Sequence, residues 1–206
     1  MAARPPKDIS ADDFFRVWLP AQFAAEFGPG KRAAVPMSVA VSLEGPGGGE
    51  WLLDVTERAL RVRGADEAGP VPQVLMRQPA ADWRAAAVGE GDTIVAPPEA
   101  SPLDVLFVDP SSRQMLQTVR GTVRFEIANY NGRTWWMQVK FGPQPEPIEP
   151  EATMAIDAAD YAAILSSTLS PTEAYFGGKI RLTGNIAVAM QLGMLLLPKF
   201  VRTGLE

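Results

Sequence analysis

Two stretches of the chain carry the same pattern of alternating apolar residues around a glycine-bearing turn. Residues 38–55 read SVAVSLEGPGGGEWLLDV and residues 122–139 read TVRFEIANYNGRTWWMQV, and the two align without a gap. Alternation with a period of two is typical of strands that bury one face of a sheet. Asn131-Gly132 is in addition a strong signal for a hairpin turn. Each stretch therefore predicts a β-hairpin with one apolar face.

A second match follows each hairpin and adds a strand and a helix to the pattern. Residues 73–87, QVLMRQPAADWRAAA, parallel residues 151–165, EATMAIDAADYAAIL. Such a repeat indicates duplication of one α+β unit, although half-buried hairpins also share this patterning for physical reasons alone. The 206 residues suffice for two units of about 100 residues each. We predict a first domain over residues 1–100 and a second over residues 101–206.

Further helices are predicted outside the matched segments. Asp12 or Asp13 can cap a helix over residues 14–27, whose apolar side is rich in phenylalanine. Residues 89–100 are rich in glycine and proline and are typical of a linker. A Ser-Pro pair then predicts the start of helices within residues 101–119.

The composition removes several classes of function. The chain contains no His and no Cys, which excludes a Ser-His-Asp triad, a thiolate metal site and a cysteine nucleophile. Catalysis would need carboxylates, Lys or Tyr alone, and because the sequence shows no such constellation we expect no catalytic residues, no metal site and no cofactor. The net charge is −5, and acidic and basic residues are interspersed along the chain, so no nucleic-acid partner is expected. The most apolar stretch, residues 186–197, is shorter than the roughly 20 residues of a membrane span, and we expect a cytoplasmic protein.

Residues 154–192 carry a series of elements in a specific order. A strand leads into an acid-started helix at Asp157, and a Pro-started helix at Pro171 ends in the small-aromatic-aromatic run AYF. Residues 178–185, GKIRLTGN, precede a last helix. With the preceding strands, this order resembles the sterol carrier protein type two family of lipid-binding domains over residues 113–197.

The resemblance implies a fold and a function. The family's fold is a mixed sheet of about five strands with helices on one side, and a hydrophobic tunnel lies between the two layers. That tunnel takes fatty acyl chains, fatty acyl-CoA, sterols or phospholipids. For this chain we expect an α+β fold, with a mixed or antiparallel sheet covered on one side by helices. The first half would be a degenerate copy, because it has no counterpart to residues 178–185.

Apolar side chains of the second half are candidates for the tunnel wall. We expect Tyr175 and Phe176 to point at the sheet, and methionines suit an irregular wall. Each candidate is also an ordinary core residue by type. The predicted ligand-binding residues are Phe125, Trp135, Met137, Tyr161, Leu165, Phe176, Ile180, Leu182, Met190 and Met194.

Charged residues of this segment have simpler interpretations than catalysis. Asp157 and Asp160 lie three residues apart at a predicted helix start, where acids cap the helix and complement its dipole. Lys179 and Arg181 fit either a solvated strand end or contact with a phosphate or carboxylate head group.

The leading hypothesis is non-enzymatic binding and transfer of a lipid or fatty acyl ligand. Burial of a long acyl chain gains on the order of 10 kcal/mol before the costs of association, and a bilayer offers nearly the same gain. Exchange through transient membrane contact is then close to neutral. The alternative is an interaction or homodimerisation module with a filled core, accessory to an enzyme of lipid or quinone metabolism.

Overall fold

A single mixed sheet runs through both halves of the chain. A computed structural model describes residues 5–30, 34–64, 66–89, 120–142 and 149–190. Within these ranges eight strands hydrogen-bond in one sheet, and helices cover one of its faces. The predicted α+β class and mixed sheet are confirmed.

The first half supplies four of these strands and the helices around them. The strands are β1 (Met37–Glu44), β2 (Gly49–Val55), β3 (Leu60–Arg63) and β4 (Val74–Pro79). The helical segments are α1 (Ala11–Asp13), a π-helical stretch (Phe14–Trp18), α2 (Leu19–Phe27) and α3 (Ala80–Ala87).

The second half supplies the other strands and two further helices. The strands are β5 (Gly121–Tyr130), β6 (Arg133–Phe141), β7 (Ala152–Asp157) and β8 (Arg181–Gly184), and the helices are α4 (Ala158–Leu165) and α5 (Pro171–Phe176). The predicted helices within residues 101–119 and the predicted boundary after residue 100 lie outside the described residues, so both stay predictions.

The two halves use the same local strand arrangement. The strand order is β3-β2-β1-β4-β6-β5-β7-β8. In the first half β1 pairs antiparallel with β2 and parallel with β4. In the second half β5 pairs antiparallel with β6 and parallel with β7. The antiparallel pairing of β4 with β6 joins the halves into one sheet.

The parallel pairs have equivalent registers under the sequence repeat. Val39 lies opposite Val74 in the first half, and their aligned counterparts, Val123 and Ala152, lie opposite each other in the second. The duplication itself stays a prediction.

The hairpins, by contrast, differ in register by two residues. Val39 pairs with Leu53, whereas Val123 pairs with Val139 and not with Met137, the residue aligned to Leu53. The gapless match is therefore wrong within the second strand. The reason is the turn: β5 and β6 meet in a tight Asn-Gly turn next to a β-bulge, whereas a longer glycine-rich loop joins β1 and β2.

The N-terminal helix is capped by Ser10 and not by the predicted aspartates. The Asp13 N–H donates to the Ser10 side-chain oxygen at 3.0 Å. Asp12 instead accepts from the Trp51 indole at 2.9 Å and from Arg16 at 2.8 Å. These bonds, the Trp51 bond most of all, lower the pKa of Asp12 from its usual 3.8. Asp12 thus ties the helix to strand β2.

Aromatic side chains fill the layer between helices and sheet in the first half. The Phe15 ring stacks on Trp51 at a centroid distance of 4.6 Å, and Phe14 meets the edge of Trp83 at 5.1 Å. Phe14, Phe15 and Phe23 are fully buried. The layer is thus filled by aromatic rings, while Leu60 and Val62 of the edge strand β3 are half-buried.

Asp82 of α3 anchors the first half to the second. Its carboxylate is fully buried, pairs with Arg133 and accepts the Trp136 backbone N–H at 2.9 Å. The Trp135 indole donates to the Asp82 backbone carbonyl at 2.9 Å. The helix of one half is thereby fixed to strand β6 of the other.

We predict that Asp82→Ala lowers the free energy of unfolding by about 3 kcal/mol, because it leaves a cation and a buried N–H without their acceptor. Asp160→Ala is the matched control, since Asp160 occupies the aligned position and also pairs with a cation, but its side chain is 24% exposed. The control should lose at most about 1 kcal/mol. Urea unfolding of both variants measures the difference, and equal losses would contradict the anchoring role.

Candidate functional site

Helix α4 begins at an aspartate cap, as the sequence predicts. Asp157 accepts the Ala159 N–H at 3.0 Å and the Asn129 side-chain amide at 2.5 Å. The Asn129 bond, followed by the Ala159 bond, holds the pKa of Asp157 below its usual 3.8. Asp160, one turn further on, pairs with Lys179. The two acids therefore act as a cap and an ion-pair partner.

Helix α5 and strand β8 follow from equally local signals. Ser170 and Glu173 form a reciprocal capping box around Pro171, the first helical residue. Gly178 has a φ of 70°, as expected for a turn that follows a helix. Gly184 has a φ of 79°, and a Cβ there would lie 2.3 Å from the Glu151 carbonyl oxygen. Only glycine fits at the end of β8.

A row of apolar side chains crosses the helix-covered face of the sheet in the second half. Phe125 lies opposite Met137 on one side and Met154 on the other, and Met154 lies opposite Leu182. We call Met137, Phe125, Met154 and Leu182 the central row. The two methionines are buried, whereas Phe125 and Leu182 are only half-buried.

Helix α4 covers this part of the sheet. It contacts strands β5 and β7, and Tyr161, Ile164 and Leu165 share one helix face because they lie three and four residues apart. Ile164 is buried, whereas Tyr161 and Leu165 are half-buried. Burial of the phenol raises the pKa of Tyr161 above its usual 10.0. The layer between α4 and the central row is apolar but incompletely closed.

The structure divides the predicted ligand-binding residues into groups by exposure. Trp135, Met137 and Ile180 are buried; Phe125, Tyr161, Leu165 and Leu182 are half-buried; Phe176 and Met190 are exposed; and Met194 lies outside the described residues. The half-buried group remains the best set of candidates for contact with a ligand.

The expectation that Tyr175 and Phe176 point at the sheet is wrong. Phe176 is 81% exposed and Tyr175 is 38% exposed. The fully buried Ala174 is the residue that faces the core, and positions one and two residues later point elsewhere on a helix. These aromatic rings form part of the surface.

Met154 is the member of the central row that the sequence prediction missed. Its signal was the alternation of Ala152, Met154 and Ile156, which are all buried. The same alternation in β4 buries Val74, Met76 and Gln78. The polar Gln78 occupies the last buried position of that strand, directly before Pro79, the N-cap residue of α3.

Two kinds of site are not found in the part of the chain that the structure describes. No three or more acidic side chains come together as they would around a metal ion. Within the same residues, no helix is long and apolar enough to cross a bilayer.

Comparison with known proteins identifies the family. The model of the SCP-2 sterol transfer family matches residues 103–197. The non-specific lipid-transfer protein-like 1 of Caenorhabditis elegans is 31% identical over 115 residues, which are 50% of this chain and 96% of that protein. The chain therefore belongs to the SCP-2 sterol transfer family.

Two further proteins show similarity over part of their length. Hydroxysteroid dehydrogenase-like protein 2 of Bos taurus is 26% identical over 154 residues, which are 71% of this chain and 34% of that protein. This chain thus spans about a third of the length of that relative. The solution structure of the sterol carrier protein domain 2 of Helicoverpa armigera covers 47% of this chain and 80% of its own, with 25% identity and a TM-score of 0.33.

We predict that Tyr161→Phe reduces the loss of stability at alkaline pH. The folded state keeps the phenol proton above pH 10.0, where an unfolded tyrosine has lost it. The unfolded state then binds fewer protons, so the free energy of unfolding falls as the pH rises through that value. Denaturant unfolding between about pH 9 and pH 11 measures this slope.

Tyr175→Phe, at an exposed position, is the control and should keep the wild-type slope. A Tyr161→Phe variant with the wild-type slope would show that the phenol ionises equally well in the folded state.

Proposed function

We propose that this chain is a non-enzymatic carrier that binds one apolar lipid between α4 and the central row. The observation that carries the proposal is the difference in burial between the halves. Phe14, Phe15 and Phe23 are fully buried in the layer of the first half, where the half-buried Leu60 and Val62 lie on the edge strand β3. In the second half, Phe125 of the inner strand β5 is half-buried on the same face, as is Leu182 of the edge strand β8.

The half-buried side chains leave apolar surface area that the folded chain does not bury and that a ligand can cover. Each methylene group that a ligand buries there gains about 0.8 kcal/mol. A lipid leaves a membrane or micelle at nearly the same cost, so transfer between the two is close to neutral. This balance suits a carrier better than a storage protein.

The comparisons support a lipid ligand. The matched family is a sterol transfer family. The Caenorhabditis elegans relative is named for lipid transfer, and 96% of its length aligns with this chain. The sequence supplies no His and no Cys, which argues for binding without chemistry. The lack of cysteine also fits a reducing compartment such as the cytoplasm.

We further propose that the surface around α5 touches membranes transiently. Phe176 is exposed, and the ring of Tyr175, which contacts that of Phe176, adds apolar area. The exposed cations Lys179 and Arg181 follow directly in the chain. Aromatic side chains beside cations suit the boundary between lipid head groups and acyl chains.

We predict that Leu182→Gln weakens binding of a fluorescent fatty acid about 10-fold, because it places an amide in the proposed contact surface. Leu60→Gln is the matched control, since Leu60 is also half-buried and lies on the opposite edge strand, β3. Fluorescence titration of both variants measures the dissociation constants. Equal losses in both variants, or no saturable binding by the wild type, would contradict the proposed site.

Phe176→Ser should slow transfer of the fluorescent fatty acid to anionic vesicles several-fold without changing its dissociation constant, since the ring lies on the surface. Val17→Ser, at a residue of the first half that is 65% exposed, should leave the transfer rate unchanged. Equal transfer rates in Phe176→Ser and wild type would contradict the proposed membrane contact. A chain that binds no lipid but forms a dimer broken by Phe176→Ser would favour the interaction-module alternative.

A further inference from the structure

Gln78 brings one polar side chain into the apolar layer. In the parallel pairing of β1 and β4 it lies opposite Leu43, a core residue on the helix-covered face. The antiparallel register of β4 and β6 ends at the pair of Arg77 and Gln138. Continued by one residue, it places Gln78 opposite Met137. Gln78 therefore extends the central row across the junction of the two halves.

The side-chain carbonyl oxygen of Gln78 has no hydrogen-bond partner in the part of the chain that the structure describes. The residue is 4% exposed, and its Oε1 atom is buried without a donor within reach. A buried acceptor left without a donor costs free energy, whereas an apolar side chain of the same shape does not. The aligned position in the second half is the apolar Ile156.

The chemistry of this oxygen limits what can bind it. An amide oxygen accepts hydrogen bonds, so its partner must donate an O–H or N–H. An ionised carboxylate only accepts, and its burial in an apolar layer is costly. A hydroxyl group is the neutral donor that an otherwise apolar lipid can carry.

We propose that Gln78 accepts a hydrogen bond from the hydroxyl group of a bound lipid and so favours lipid alcohols over lipids without a donor. The inference depends on the lipid-binding function proposed above. It places the polar end of the ligand at the junction of the halves and its apolar body along the central row.

Displacement of a bound fluorescent fatty acid from the full chain tests this selectivity. The competitors are 1-tetradecanol and its methyl ether, which differ in the hydroxyl proton and one methyl group. Cholesterol and its methyl ether form a second pair, which shows whether fatty alcohols or sterols supply the hydroxyl. In at least one pair, wild type should bind the alcohol roughly 3- to 10-fold more tightly than the ether.

The variant Gln78→Met removes the acceptor and keeps the side-chain length. It should bind alcohol and ether equally, and it should melt at the wild-type temperature or above when free of ligand. Gln138→Met is the matched control, since Gln138 is also buried in β6 but belongs to the opposite face of the sheet. This control should keep the preference for the alcohol.

Several results would overturn the inference. Equal binding of alcohol and ether by wild type, or a preference that persists in Gln78→Met, would show that Gln78 does not contact the hydroxyl. A melting temperature several degrees lower in Gln78→Met would show that the amide is paired within the protein. Failure of the fluorescent fatty acid itself to bind would remove the proposed function as well, whereas the other results leave it intact.

Discussion

The pairing of β4 with β6 is the interaction on which the rest of the structure depends. Four residue pairs join the last strand of the first half to a strand of the second, and the eight-stranded sheet is continuous because of them. Neither half then presents an unpaired strand at this position, where free N–H and C=O groups would invite association. Asp82 reinforces the junction by fixing α3 to β6 through Arg133 and Trp136.

The apolar layer on the helix-covered face of the sheet is packed differently in the two halves. In the first half the aromatic residues of the N-terminal helical segments occupy the layer above the strands. In the second half α4 lies above the central row, and several apolar side chains there stay half-buried. On this account the first half acts as a filled scaffold, and the second half contributes the surface for the ligand.

Local signals in the sequence predicted much of this architecture. The alternating strands, the Asn131-Gly132 turn and the Asp157 cap were predicted correctly because each depends on neighbouring residues. The same holds for the start of α5 at Pro171. The resemblance that these elements carry was confirmed by the family match over residues 103–197.

Features that depend on contacts between residues far apart in the sequence were harder to predict. The two-residue difference in hairpin register arises from turn geometry that a gapless alignment ignores. Ser10 caps the N-terminal helix, whereas the predicted cap Asp12 accepts hydrogen bonds from Trp51 and Arg16. The exposure of Phe176 follows from the orientation of α5, which the burial of Ala174 fixes. Sequence patterns predict which apolar residues lie on the inner face of a strand or helix, but tertiary contacts determine which of them stay accessible to a ligand.

The stoichiometry of bound lipid tests the central claim most directly. Native mass spectrometry of the full chain, purified without delipidation and then titrated with a fatty acid, reports bound lipid and oligomeric state together. The account predicts one lipid per chain, with a lower occupancy in Leu182→Gln at the same lipid concentration and an unchanged occupancy in Leu60→Gln. Two lipids per chain would contradict the filled first half, and the absence of any lipid complex would contradict the carrier function.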